Sequence, residues 1–178
     1  MNGSRISTFF FAVALLAGCG KLTGCDRAPA APPAASDTAP KLPTKAQPKL
    51  PTMKLWLGAE ELTVELARTP EQIMTGMMFR TNMAENEGML FVFATPDSRS
   101  FWMKNCHLPL SLAYIDPEGT ILEIRDMKPH DTTGIDSKTN HVQFVLEVNQ
   151  GWFGRHHVTE GMLVRTERGT LLETFFRK

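Results

Sequence analysis

The segment Phe101-Trp102-Met103-Lys104-Asn105 sets an indole, an ammonium and an amide close together, side-chain types that orient a polar ligand in a small pocket. In an extended chain, Trp102 and Lys104 share one face, while Phe101, Met103 and Asn105 share the other. Arg80 and Glu147 each stand at the margin of another apolar stretch. If these margins meet at one rim, Arg80, Trp102, Lys104, Asn105 and Glu147 form a shallow ligand-binding pocket, with the loop 128–141 as a wall. The competing use of the same residues is structural. Phe101 and Met103 would be core, Asn105 would satisfy backbone groups in the turn before Pro109, and Arg80 and Glu147 would form ion pairs or bind loop carbonyls.

Cys106 beside His107 suggests a nucleophile and its base. Adjacent residues of an extended chain point in opposite directions, so this proximity does not make a dyad. Methionines at 74, 77, 78, 83, 89 and 103 supply soft thioethers of the kind copper(I) prefers. Methionine also fills irregular cores, and no compact Met-x-Met or His-x-x-Met cluster occurs. His130, Asp131, Asp136 and His141 offer harder ligands on a long polar loop. No metal site, cofactor or catalytic residue is assigned on this basis. A non-catalytic binding or accessory module is the favoured class. The alternatives are an enzyme acting on an envelope component and a periplasmic copper carrier.

The elements that would position these groups are short. Apolar stretches at 54–57, 62–67, 89–93, 101–103, 110–115, 120–127, 142–148, 162–166 and 171–176 read as strands. The first two alternate around Gly58-Ala59-Glu60-Glu61 as a hairpin, and Asp116-Pro117-Glu118-Gly119 marks a turn. Thr69, Pro70 and Gln72 form a capping box that starts a helix running to about Met78, and a second short helix is expected at 152–157. Many short strands with one or two small helices predict a mainly β domain, a compact antiparallel β-sandwich or barrel of jelly-roll type.

The start of the chain is a different material. Arg5, an apolar run at 9–16 and small residues before Cys19 have the three parts of an export signal, giving a signal peptide at 1–18. The run is too short for a stable transmembrane anchor. The tetrad Leu16-Ala17-Gly18-Cys19 resembles the bacterial lipobox, which implies that Cys19 is the lipidated N-terminus. Leu22-Thr23-Gly24-Cys25 is a second match, but Lys21 separates it from the apolar core. Gly20 after Cys19 implies the outer membrane, whereas Asp26 after Cys25 would imply the inner one. Residues 19–52 then form a lipidated, Ala/Pro-rich tether that carries a domain at 53–178 into the periplasm. The basic excess lies in residues 1–52, leaving the remainder four units negative. With no basic stripe, nucleic acid is not an expected partner; the membrane, through the lipid anchor, is. A monomer is expected.

Four segments of the domain carry a resemblance. They are Gly76-Met77-Met78-Phe79-Arg80, Gly88-Met89-Leu90-Phe91-Val92-Phe93, Phe101-Trp102-Met103-Lys104-Asn105 with Leu108-Pro109-Leu110, and Val145-Leu146-Glu147 with Gly151. In order and spacing they resemble the domain of unknown function 192 family over about residues 62–164. The resemblance implies a compact β domain, several members being exported, and no activity. Cys106 stands where Thr is usual in that family, and Ser111 where Asp often follows Pro-Leu.

Overall fold

The computed structural model describes residues 42–177, all within one compact unit. The signal peptide, Cys19, Cys25 and most of the expected tether lie outside the described residues. The elements, in chain order, are β1 (Thr52–Leu57), β2 (Glu60–Ala67), α1 (Pro70–Thr75), β3 (Glu87–Asp97), β4 (Ser100–Phe101), β5 (Leu110–Ile115), β6 (Ile121–Met127), β7 (Ile135–Asp136), β8 (Val142–Asn149), α2 (Trp152–Arg155), β9 (Val164–Thr166), β10 (Gly169–Thr170) and α3 (Leu171–Phe175).

The mainly β expectation holds, and the sheet that results is mixed. Eight strands run in the order β10-β9-β1-β2-β3-β8-β5-β6, while β4 and β7 make a separate two-stranded sheet. β1 and β2 pair antiparallel through the Gly58-Ala59 turn, with Gly58 at a φ of +65°. β2 and β3 pair parallel because α1 and the following turns carry the chain back to the end from which β2 began. That crossover is why the sheet is not wholly antiparallel. The far ends of the sheet approach each other: Thr120 bridges Leu163, Ile121 N–H donates to the Met162 carbonyl at 2.9 Å, and Val164 N–H donates to the Gly119 carbonyl at 2.8 Å. These stitches stop short of a closed barrel.

Alternation along the strands fills two cores. Leu55, Leu57, Leu62, Val64, Leu90, Phe144, Leu146 and Val148 face one, where Trp152 of α2 and Leu171 of α3 complete the packing. Met89, Phe91, Leu112, Tyr114 and Val145 face the other, with Met77, Met78, Met103 and Cys106 packed over them. Four of the methionines that could suggest soft-metal chemistry, Met77, Met78, Met89 and Met103, are therefore buried filler of this second core.

Two elements differ from their expected type. Residues 171–175 form a helix, because Thr170 accepts the Glu173 N–H and the Glu173 carboxylate accepts the Thr170 N–H in a second capping box. The strand expected at 101–103 ends at Phe101, since Met103 N–H turns away to the Asp131 carbonyl at 2.8 Å. α1 also stops at Thr75, where Gly76 takes a φ of +45° that breaks the helical path. Contacts with the domain reach back before β1: the Gln47 amide donates to the carbonyls of Gln72 and Gly76, and Leu50 N–H donates to Glu65.

Candidate functional site

Glu147 lies in β8 opposite Met89 of β3 and Leu112 of β5. Period-two alternation puts it on the face of Val145, so the strand delivers a carboxyl into the second core. Only 4 % of the residue is exposed, and no hydrogen-bond donor reaches its carboxyl among the described residues. Burial alone pushes its pKa up to about 8. An unpaired charge there would be costly, so near neutral pH the group holds its proton.

The carboxyl lines a pit of about 30 Å³ whose walls include Thr75 and Gly76 at the end of α1, Phe91 of β3, Phe101, Trp102 and Cys106. Phe91 and Phe101 meet edge to face with centroids 4.9 Å apart. Gly76 is required by close approach as well as by its φ, because a Cβ there would come within 3.2 Å of the Phe91 ring. Trp102 is 39 % exposed and forms the rim. Thr75 already donates its hydroxyl proton to the Glu71 carbonyl at 2.8 Å, leaving only lone pairs to offer.

Of the five residues expected in one pocket, Trp102 and Glu147 share this pit. Lys104 does not line it; its Nζ sits 5.2 Å from the centroid of the Trp102 ring. The expected strand geometry for these residues is corrected, because 103–106 form a turn closed by Cys106 N–H on the Met103 carbonyl at 3.1 Å. Asn105 occupies that turn with a φ of +59°, a conformation asparagine tolerates, and its backbone carbonyl accepts Phe79 N–H at 2.8 Å. Arg80 lies in a different hollow, of about 210 Å³, between the start of β3 and the segment before β1. There its guanidinium binds Glu65 at 2.9 Å and the Pro48 carbonyl at 3.4 Å, while its Nε is buried without a partner. Arg80 is thus a fastener of the strap at 47–50, the structural use that the sequence also allowed.

The remaining candidates separate. Cys106 is buried, and its thiol is pushed up to about 12 by burial and by the nearby Glu147, the opposite of an activated nucleophile. His107 is exposed and turns toward the His130 ring, with centroids 5.0 Å apart. Asp131 binds its own loop through Thr133 N–H at 2.8 Å, which holds its carboxylate below the ordinary range, and His141 lies 3.8 Å from Glu118. Among the described residues, no three His, Cys, Asp or Glu side chains are grouped to hold a metal. Ser111 is buried, donates to Asp126 and accepts Gly151 N–H at 2.8 Å, so it ties β5 to β6 and to the start of α2. A larger hollow of about 420 Å³ between β1, β2 and residues 166–168 has its cations already matched, Lys54 to Glu61 and Arg168 to the Thr174 carbonyl.

The pit residues that the sequence reading missed are Ile73, Thr75, Gly76 and Phe91. Phe91 and Met89 share the parity that faces Glu147, so strand register could have found Phe91. Nothing in the spacing shows that the end of α1 closes the wall.

A curled, mixed β sheet with a small carboxyl-floored pit on one face is the class of structure defined here. The chain belongs to the domain of unknown function 192 family, described as an uncharacterized ACR, whose model matches residues 54–166. Among solved structures it is similar to a protein of Sinorhizobium meliloti 1021 named as a candidate transcription regulator, with 36% identity and a TM-score of 0.65 over 68% of this chain and 98% of that one. It is also similar to a protein of unknown function from Novosphingobium aromaticivorans DSM 12444, with 29% identity and a TM-score of 0.59 over 64% of this chain and 83% of that one. No curated protein matches the chain.

Proposed function

We propose that this protein is a lipid-anchored binding module of the bacterial envelope, held at the outer membrane through Cys19 with its domain in the periplasm, and that its ligand enters the pit of Trp102 and Glu147. The observation that carries the binding reading is a carboxyl nine-tenths buried, without a donor, at the floor of an aromatic-walled pit. Among the described residues only Arg80 Nε is fully enclosed without a partner, so the Glu147 oxygens are open to the pit, where a ligand's donor can reach them. The anchoring part rests on the export signal and the lipobox. An enzyme would use the same perturbed carboxyl as acid or base. The neighbouring thiol keeps its proton, however, and Arg80 and the side chain of Asn105 do not join the pit, so recognition without covalent chemistry fits the geometry better.

Two measurements test the proposal. Fatty-acid labelling should be lost in Cys19→Ser, with an unprocessed precursor accumulating; full labelling would move the anchor to Cys25. Native mass spectrometry of the protein extracted from membranes should show a small bound molecule in wild type and none in Glu147→Gln. Identical spectra from the two proteins, together with a Trp102 signal unmoved by any small polar compound, would remove the binding reading.

A further inference from the structure

The side chains around Glu147 have a chemical sense. Thr75 has spent its hydroxyl proton on the Glu71 carbonyl and offers lone pairs. Phe91, Phe101 and Trp102 offer ring electrons, and the thioethers of Met77 and Met78 are weak acceptors. Among the side chains the donors are the Trp102 indole N–H at the exposed rim, the weak thiol of Cys106 and, while it keeps its proton, the Glu147 carboxyl itself. Once Glu147 gives up its proton, the lining is matched to a ligand tip that donates. It is also matched to a cation, since rings and a carboxylate both attract positive charge. Lys104, resting 5.2 Å from the Trp102 centroid, shows that an ammonium already finds this ring from outside the pit.

Size narrows the choice. About 30 Å³ admits one group of water or methyl dimensions and excludes a quaternary nitrogen with three methyls. We propose, building on the binding reading above, that the pit takes the head of an unbranched primary alkylammonium ion, its N–H groups on Glu147 and its alkyl stem lying against Trp102.

The electrostatics give the proposal a specific signature. Glu147, with its pKa near 8, is protonated in the empty protein at pH 7, and a bound ammonium favours the carboxylate. Binding should therefore expel a proton into the buffer. The other groups facing Glu147 do not confuse this reading: Cys106 is pushed up to about 12, Tyr114 is raised further by burial, and the cross-strand neighbours Met89 and Leu112 do not titrate. Lys104, beside the Trp102 ring, opposes a second cation at the rim.

The test is calorimetry of the full-length protein at pH 7 in two buffers of different ionisation enthalpy, with n-butylammonium, tert-butylammonium and butyramide as probes. We expect n-butylammonium to bind and release close to one proton, and tert-butylammonium not to bind. Glu147→Gln should weaken binding at least tenfold. Trp102→Ala should weaken it severalfold at an unchanged melting temperature, and Lys104→Met should strengthen it by removing a like charge. Butyramide binding that depends on Glu147 and releases no proton would overturn the ammonium assignment while keeping the binding reading. Failure of all three probes to bind wild type, with the fold intact, would overturn the ammonium assignment; the binding reading would then stand or fall on the native mass spectra.

Discussion

Replacing Glu147 by Gln should make the protein more stable, and increasingly so as pH rises. The unfolded carboxyl titrates near its ordinary 4.5, whereas the folded one titrates near 8. Below pH 4.5 both states hold the proton and the residue contributes no pH dependence. Between 4.5 and 8 the folded state alone keeps it, so the unfolded state binds fewer protons and stability falls as pH rises. At about 1.4 kcal/mol per pH unit, the loss accumulates to an upper figure on the order of 5 kcal/mol by pH 8, beyond which the curve is flat. Gln has the same shape and no charge, so its stability lacks this slope. Urea unfolding of both proteins from pH 4.5 to 8.5 gives the difference directly. Carboxylates whose pKa values are held low, such as those of Glu87 and Asp131, act mainly at more acid pH and cancel in the difference. Parallel stability curves for wild type and variant across this window would show that Glu147 is not a buried, unpartnered carboxyl.

Three further outcomes follow from packing. Gly88→Ala should cost about 1–3 kcal/mol in urea unfolding, since its Cβ would stand 2.6 Å from the Glu147 backbone carbonyl; a cost below a few tenths would mean that β3 and β8 are less closely held than described. Arg80→Ala should release the strap at 47–50 and cost about 1–3 kcal/mol, with trypsin cutting at Lys49 well before global unfolding; unchanged cleavage kinetics would show that Arg80 is not the fastener. Cys106→Thr should shift the melting temperature by no more than about 4 °C, because the thiol keeps its proton and serves as packing in the second core. A larger drop would show that the sulfur's packing cannot be replaced by a side chain of similar size.

Much of this fold was legible because local patterns decide it. The hairpin turn at Gly58-Ala59, the capping box at Thr69 and the alternation of β5 and β8 are each set by a few adjacent residues. The apolar run of α3 resembles a strand, although Thr170 and Glu173 carry the helix signal three residues apart. The candidate site was harder to read. Trp102 and Glu147 were picked out by type and share a pit, but their meeting depends on the crossover of α1 and on the turn at Asn105, whose positive φ no periodicity reveals. Arg80 resembles them in polar character alone, and the carboxylate that claims it, Glu65, lies in a strand whose partner is not evident from sequence order.

The stitches between the two ends of the sheet have a bearing on how the molecule behaves among copies of itself. An open sheet leaves a row of unsatisfied backbone groups at each margin, and a neighbouring chain can add a strand there. On the β6 side, Ile121 N–H is taken by Met162, and Ile124 N–H by the Glu160 carboxylate at 3.1 Å. On the other side, β10 is only two residues long and passes at once into α3. Among the described residues both margins are thus partly closed, which leaves fewer free backbone groups for a foreign strand where many such domains crowd onto one surface.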